Sequence, residues 1–268
     1  MAKKYSPEEL GAMTPKDFRS IVRKGEWTEV TADACRNYGQ ANLIALPREY
    51  AFEFLLFCNR NPRPCYVLDV TELGNPEPKL MAPDADIRTD LPRYRVFKNG
   101  KIIDEPTDAT NYWRDDLVAF LIGCSWGFVW AFKAANVPFR SLGDYTTNIP
   151  LVPVGRFHGH MVCSCRAFQT SYDALRAIQI SSRHIAFHGP PVHIGEPTLI
   201  GVNNIGKPDA FIPPWPTSPP EPHEIAMFWG CGITLQNVVL ESKIPYAVTH
   251  YPGHMFVIDK LVEELAIF

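Results

Sequence analysis

The chain has 268 residues, with 26 Lys plus Arg against 29 Asp plus Glu, a formal net charge of -3, and 46% hydrophobic residues. These figures describe a soluble globular protein of one or two domains, and the 12% aromatic content excludes disorder and low complexity. So small a net charge lacks the basic field that nucleic acid or a membrane surface demands, so neither is expected as a partner.

Ser6-Pro7-Glu8-Glu9 places a cap, a proline and acidic first-turn residues in helix-starting order, and Thr14-Pro15-Lys16-Asp17 repeats the signal, with Gly25 closing the second helix. Residues 40–46 are apolar and predict an extended entry. Pro47 then opens a helix through Phe57, with Phe52, Leu55 and Leu56 as its expected buried stripe. Val67–Val70 reads as a short buried strand. Tyr94 to Ile103 alternates about Asn99-Gly100, a strong hairpin signal.

Two later stretches resemble one another. Asp116 leads a buried strand into Gly123-Cys124-Ser125 and an apolar helix stopped by Val137-Pro138. Glu224 leads another into Gly230-Cys231-Gly232 and a helix stopped by Ile244-Pro245. Each reads as strand, Gly-Cys turn and a helix of about four turns. Continuous apolar strands of this kind predict an α/β fold, a mostly parallel sheet covered by helices on both faces. Between them, Met161–Phe168 reads as a strand, Ser171-Tyr172-Asp173 caps a helix through Ile180, and residues 191–195 read as a second strand. The expected organisation is a discontinuous main domain of residues 1–150 plus 222–268, with residues 151–221 inserted as a smaller two-layer α+β domain.

Prolines number 25 against 17 glycines and concentrate in residues 62–92 and 190–222, including Pro213-Pro214-Trp215-Pro216, which predicts long, stiff loops. The seven cysteines contain no CxxC pair, which predicts reduced thiols. With no N-terminal apolar segment and no apolar run of about 18 residues, a cytoplasmic location is expected.

Chemistry concentrates at a few places. The turns at Cys124-Ser125 and Cys231-Gly232 aim backbone N–H groups and a helix N-terminus at one point, which suits a carboxylate, an oxyanion or a thiolate. Residues 84–95 hold three aspartates and three arginines, among them Arg88, Asp90 and Arg93 beside Tyr94. A guanidinium there would fork onto a substrate carboxylate. Thr249-His250-Tyr251-Pro252-Gly253-His254 puts two imidazoles around a turn after an expected strand, where protons can be exchanged near neutrality. His188 and His193 flank a Pro-Pro element. A zinc site built from His188, His193, His250 and His254 would lack HExxH or paired CxxC spacing, so no metal is expected. His158 and His160, like Cys163 and Cys165, would share a face if they lie on strands. No GxGxxG or P-loop motif is present, and no cofactor is expected.

Residues 40–43, 54–62, 88–95, 113–125, 147–150, 188–195, 228–232 and 249–256 together resemble, in order and over nearly the whole chain, the hydro-lyase family that includes D-glutamate cyclase. The resemblance implies loss of water from a small amino or carboxylic acid, as when D-glutamate closes to 5-oxo-D-proline, in an enzyme of amino-acid metabolism. On that reading Arg88 or Arg93 clamps a carboxylate, His254 or His250 takes a proton, Asp90 supplies one, and the Cys124 and Cys231 turns hold the oxyanion. Tyr94, Ser125, Asn148, His188, His193, Gly232 and Thr249 complete the expected pocket. The chain departs from the family where Trp126–Trp130 holds no acid, Val129 standing where Glu is usual. A lyase or isomerase for another hydroxy acid, and a silent carboxylate-binding protein, are the alternative readings. A homo-oligomer is compatible with all three.

Overall fold

The computed structural model describes residues 5–209 and 219–267; the segment Pro213-Pro214-Trp215-Pro216 lies outside them. Helix α1 (Pro7–Ala12) starts at a reciprocal cap between Ser6 and Glu9, and α2 (Pro15–Arg23) starts at Thr14, whose hydroxyl accepts from the Asp17 N–H. Strand β1 (Tyr38–Pro47) is buried along nearly its whole length and runs into α3 (Arg48–Arg60). Strand β2 (Val67–Val70) follows, then the hairpin β3 (Tyr94–Lys98) and β4 (Lys101–Asp104). Asn99 and Gly100 both take positive φ there, as a two-residue turn of this hand requires. The first Gly-Cys unit is β5 (Leu117–Gly123) and α4 (Trp126–Ala134). Next come β6 (Arg140–Pro150), β7 (His160–Phe168), α5 (Ser171–Ser182) and the short β8 (His193–Ile194). The second unit is β9 (Ile225–Gly230) and α6 (Thr234–Glu241), before β10 (Tyr246–His250) and β11 (Phe256–Leu261).

Two sheets form. One runs β2-β5-β1-β10-β3-β4, with β11 also paired to β1; the other runs β6-β7-β9-β8. Every strand pairing is antiparallel, which overturns the expected α/β fold with its mostly parallel sheet covered by helices. The physical reason is visible in β1 and β5. Both are buried on both faces, and a continuous apolar run records two-sided burial without recording strand direction. The two Gly-Cys units do not share a sheet: β5 lies in the larger one and β9 in the smaller. Their helices are nine and eight residues long, shorter than the expected four turns. The smaller sheet takes β7 and β8 from residues 151–221 and β6 and β9 from either side of that stretch.

Helix α3 is rotated from expectation. It buries Tyr50, Phe54, Phe57 and Cys58, while Phe52 is 77% exposed and Leu55 42%. Both sets recur at helical spacing, and the aromatic contacts of Phe54 with Phe120 and Phe157 decide between them. No helix among the described residues is long and apolar enough to cross a membrane.

Candidate active site

One edge of β1 is paired in two pieces, and the break between them opens the site. Ala41 pairs with Phe256 of β11 and Ile44 with Thr249 of β10, so the turn through residues 251–255 leaves the sheet opposite Asn42 and Leu43. The cleft at this break has about 660 Å³ of free space including its mouth, and both sheets contribute to its walls.

Strand β7 supplies the central charge. Its alternation sends Cys163 and Cys165 into an apolar cluster with Phe228 and Leu235, and the opposite face carries Ser164 and Arg166 into the cleft. Arg166 is only 4% exposed. Its Nη1 donates to Ser164 Oγ at 3.0 Å and its Nη2 to Ser125 Oγ at 2.9 Å, while Nε has no partner among the described residues. The guanidinium also lies 4.9 Å from the ring centre of Phe128 and 5.3 Å from that of Trp229. It forms no ion pair within 4.0 Å among the described residues, and burial pulls its pKa down. A buried cation held only by neutral hydroxyls and aromatic faces is stabilised by an incoming anion.

Strand β6 supplies a carboxylate beside it. Ser141 pairs with Arg166 and Asp144 with Ser164, although three positions separate the two β6 residues. The extra residue is a bulge at Leu142-Gly143, with Gly143 at φ 110°, and it turns Ser141 and Asp144 to the same face. Desolvation pushes the Asp144 carboxyl up to about 6 against the pull of its hydrogen bond with Cys231 and of the Arg166 charge. That range is suited to exchanging protons near neutrality.

The Gly-Cys turns close on Asn42. Its Nδ2 donates to Gly123 O at 2.8 Å, and a Cβ at Gly232 would lie 2.0 Å from that same atom, so only glycine fits there. Gly123 is equally constrained, since a Cβ would lie 1.7 Å from Ala186 O. The Cys124 N–H donates to Gln40 O and the Cys231 N–H to Val162 O. Those two N–H groups are spent on the backbone and do not serve as oxyanion donors. At the break itself, His250 Nδ1 lies 3.2 Å from the Leu43 N and 3.3 Å from the Leu43 O, so the Leu43 peptide engages this nitrogen in either tautomer. Nε2 is buried and unpartnered among the described residues, and desolvation lowers the His250 pKa to about 4. His250 is therefore neutral at pH 7, with one ring nitrogen free toward the cleft.

Of the residues expected from sequence, the structure brings Cys124, Ser125, Cys231 and His250 to the cleft, with Gly232 packed against Asn42 beside them. Thr249 is buried next door, its hydroxyl donating to His250 O at 3.0 Å. The others lie elsewhere and are satisfied locally. His254 Nδ1 is 2.9 Å from Pro252 O and Nε2 is 3.2 Å from Thr28 O. Arg88 pairs with Asp86, Arg93 with Glu105 and Asp90 with Arg23. Tyr94 Oη accepts the Leu91 N–H, and Asn148 is exposed beside Gly201. His193 Nε2 is 2.8 Å from Glu196 O. His188, at φ 81°, has Nδ1 2.7 Å from Arg63 O, and its Nε2 is buried and unpartnered among the described residues. Val129 is buried in the apolar core, away from the cleft lining. Sequence reading missed Asn42, Asp144, Ser164 and Arg166. The available signal was a lone charged residue, Arg166, inside the mostly apolar strand of residues 161–168.

Comparison with known proteins places the chain in a family. The profile described as D-glutamate cyclase matches residues 118–259. "Putative hydro-lyase GK2103" of Geobacillus kaustophilus is 46% identical over 95% of this chain and 97% of its own length. "Putative hydro-lyase YcsI" of Bacillus subtilis is 46% identical over 95% of this chain and all of its own, and a "Putative hydro-lyase" of Psychrobacter arcticus 42% identical over 97% and 99%. Among solved structures, the nitrogen repressor-like protein MJ0159 of Methanococcus jannaschii aligns with a TM-score of 0.38 and 9% identity over 93% of this chain and 99% of that one, too distant to support an argument.

Proposed function

The chain belongs to the D-glutamate cyclase family, and from that premise we propose that it is a hydro-lyase that closes D-glutamate to 5-oxo-D-proline with loss of water. The observation that carries the reading is Arg166, a buried guanidinium with an unpartnered Nε, no ion pair among the described residues, and a proton-exchanging carboxyl close by.

In this reading the α-carboxylate of the substrate docks on Arg166. The α-amine attacks the γ-carboxyl carbon, forming the C–N bond, and a γ-oxygen leaves. Two of the three ammonium protons end on that departing oxygen as water, so the step needs a group that accepts a proton from nitrogen and delivers it to oxygen. Asp144, at about 6, does both. In the tautomer whose Nδ1 accepts the Leu43 N–H, the His250 Nε2–H donates to the oxyanion of the tetrahedral intermediate, a role worth roughly 3–4 kcal/mol when well placed. The clamp is therefore Arg166 in place of Arg88 or Arg93, and the acid Asp144 in place of Asp90.

Mass spectrometry of purified protein incubated with D-glutamate, and separately with L-glutamate, tests the reaction. Loss of one water from the D isomer alone is the expected result. No enzyme-dependent product from either isomer overturns it.

A further inference from the structure

The cyclisation leaves two thiols in the cleft without a task. Cys124 follows β5 of the larger sheet and Cys231 follows β9 of the smaller, and both line the same space. Their settings match in one respect. The sulfur of Cys124 receives the Trp126 N–H, and that of Cys231 receives the Ile233 N–H, each at the first turn of a helix. They differ in the second partner, which is the neutral Asn42 amide for Cys124 and the Asp144 carboxylate for Cys231. The Arg166 charge acts on both sulfurs, and the unpartnered Arg166 Nε and His250 Nε2 mark this same space as a ligand site.

We propose that Cys124 and Cys231 are an acid–base pair that exchanges the α-proton of the amino acid held on Arg166. The proposal rests on the small-acid reading of the cleft and adds a carbon-acid step to it. Asp144 takes the Cys231 S–H proton. The thiolate then takes the proton from Cα, breaking the C–H bond and leaving the electron pair on Cα, spread into the carboxylate that Arg166 holds. The Cys124 S–H returns a proton to Cα from its own wall, and the proton held by Asp144 then passes through solvent to the Cys124 thiolate, which restores both thiols and the carboxylate. The net change is hydrogen exchange at Cα, with inversion when the two protons use opposite faces, and no oxidant or reductant takes part. Burial holds Cys124 up at about 12 and Cys231 well above its ordinary value, so both rest as thiols. The helix-terminal N–H groups and the guanidinium stabilise the thiolate when it forms.

Proton NMR in deuterium oxide reads both reactions in one sample, because lactam formation shifts the side-chain methylenes and exchange erases the α-proton signal. With D-glutamate, L-glutamate or 5-oxo-D-proline as the probe, the wild-type protein should lose the α-proton signal. Cys124→Ser and Cys231→Ser should each slow that loss by about 100-fold or more, with unchanged melting temperatures. Lactam formed from D-glutamate with its α-proton fully retained overturns the pair and leaves the cyclase reading standing. Thiol-dependent exchange without lactam supports the pair and sinks cyclisation. An α-proton retained in all three probes overturns the pair on the wild-type protein alone, whatever the variants do.

Discussion

Arginine meets carboxylate throughout residues 84–95, whereas Arg166 meets two serine hydroxyls and a group of aromatic rings. In the first region Arg88 lies 2.7 Å from Asp86, Arg93 and Arg95 share Glu105, and Asp90 accepts from both Nε and Nη2 of Arg23. Each arginine there faces a carboxylate of the chain, so the segment has little left to offer a ligand. In the cleft the balance is incomplete. Arg166 is desolvated without a carboxylate in contact, and Asp144 pays for burial with a raised pKa. Density of charge therefore marks a self-contained loop, and an uncompensated buried charge marks the place where a substrate completes the electrostatics.

Asp144→Asn should break the cleft side of this contrast most severely. Loss of the proton-exchanging group lowers kcat by about 100- to 10,000-fold. In wild type, the rate should rise with pH through about 6 as Asp144 ionises, and the variant should lose that acidic limb; a pH–rate profile checks both. The stability signs are opposed. A carboxyl raised from 3.8 to about 6 binds its proton more tightly folded than unfolded, so Asp144 lowers stability as pH rises through that window. His250 and His188, lowered from 6.5 to about 4, do the reverse and lose stability as pH falls through theirs. Thermal melts of Asp144→Asn against wild type across pH 4–7 should isolate the first contribution.

Arg166→Met comes next. Removing one partner of a desolvated charge contact costs about 2–5 kcal/mol of binding, so kcat/KM should fall by at least about 30-fold. The melting temperature should hold or rise, because an apolar chain of similar length replaces an unpaired buried cation among Phe128, Phe139 and Trp229. Lost activity with lost stability would instead assign Arg166 to the core.

Local chemistry is legible in the sequence wherever a short segment determines it. The caps at Ser6 and Thr14, the Asn99-Gly100 hairpin and the Gly-Cys strand–helix turns all depend on neighbours in the chain. Sheet direction is not legible, because β1 and β5 are apolar for reasons of burial that parallel and antiparallel partners satisfy equally. The cleft is assembled from β1, β6, β7 and β10, whose order in space follows from that pairing. The β6 bulge that aims Asp144 is one residue of register, and Gly143 is the single sign of it in Ser141-Leu142-Gly143-Asp144. Arg166 was visible in principle, since residues 161–168 are otherwise Met, Val, Cys, Ser, Ala and Phe, and a lone arginine among them needs a structural or chemical reason.

The smallest catalytic effects belong to residues 84–95, and there the comparison is sharpened by separating stability from turnover. Asp90 is 1% exposed and accepts from Arg23, from the Asp86 N–H at 2.9 Å and from Thr89. Asp90→Asn should cost about 3 kcal/mol of folding stability, the low end for a broken buried pair, because Arg23 is half exposed and returns to water. Arg88→Ala removes a pair open to solvent on both sides and should cost less than about 1 kcal/mol. Neither residue lines the cleft, so kcat/KM per folded molecule should stay within about threefold of wild type, as expected for sites without shared partners. Denaturant melts paired with activity normalised to folded protein make the measurement. A large fall in turnover for Arg88→Ala at unchanged stability would move the carboxylate clamp from Arg166 back to this loop.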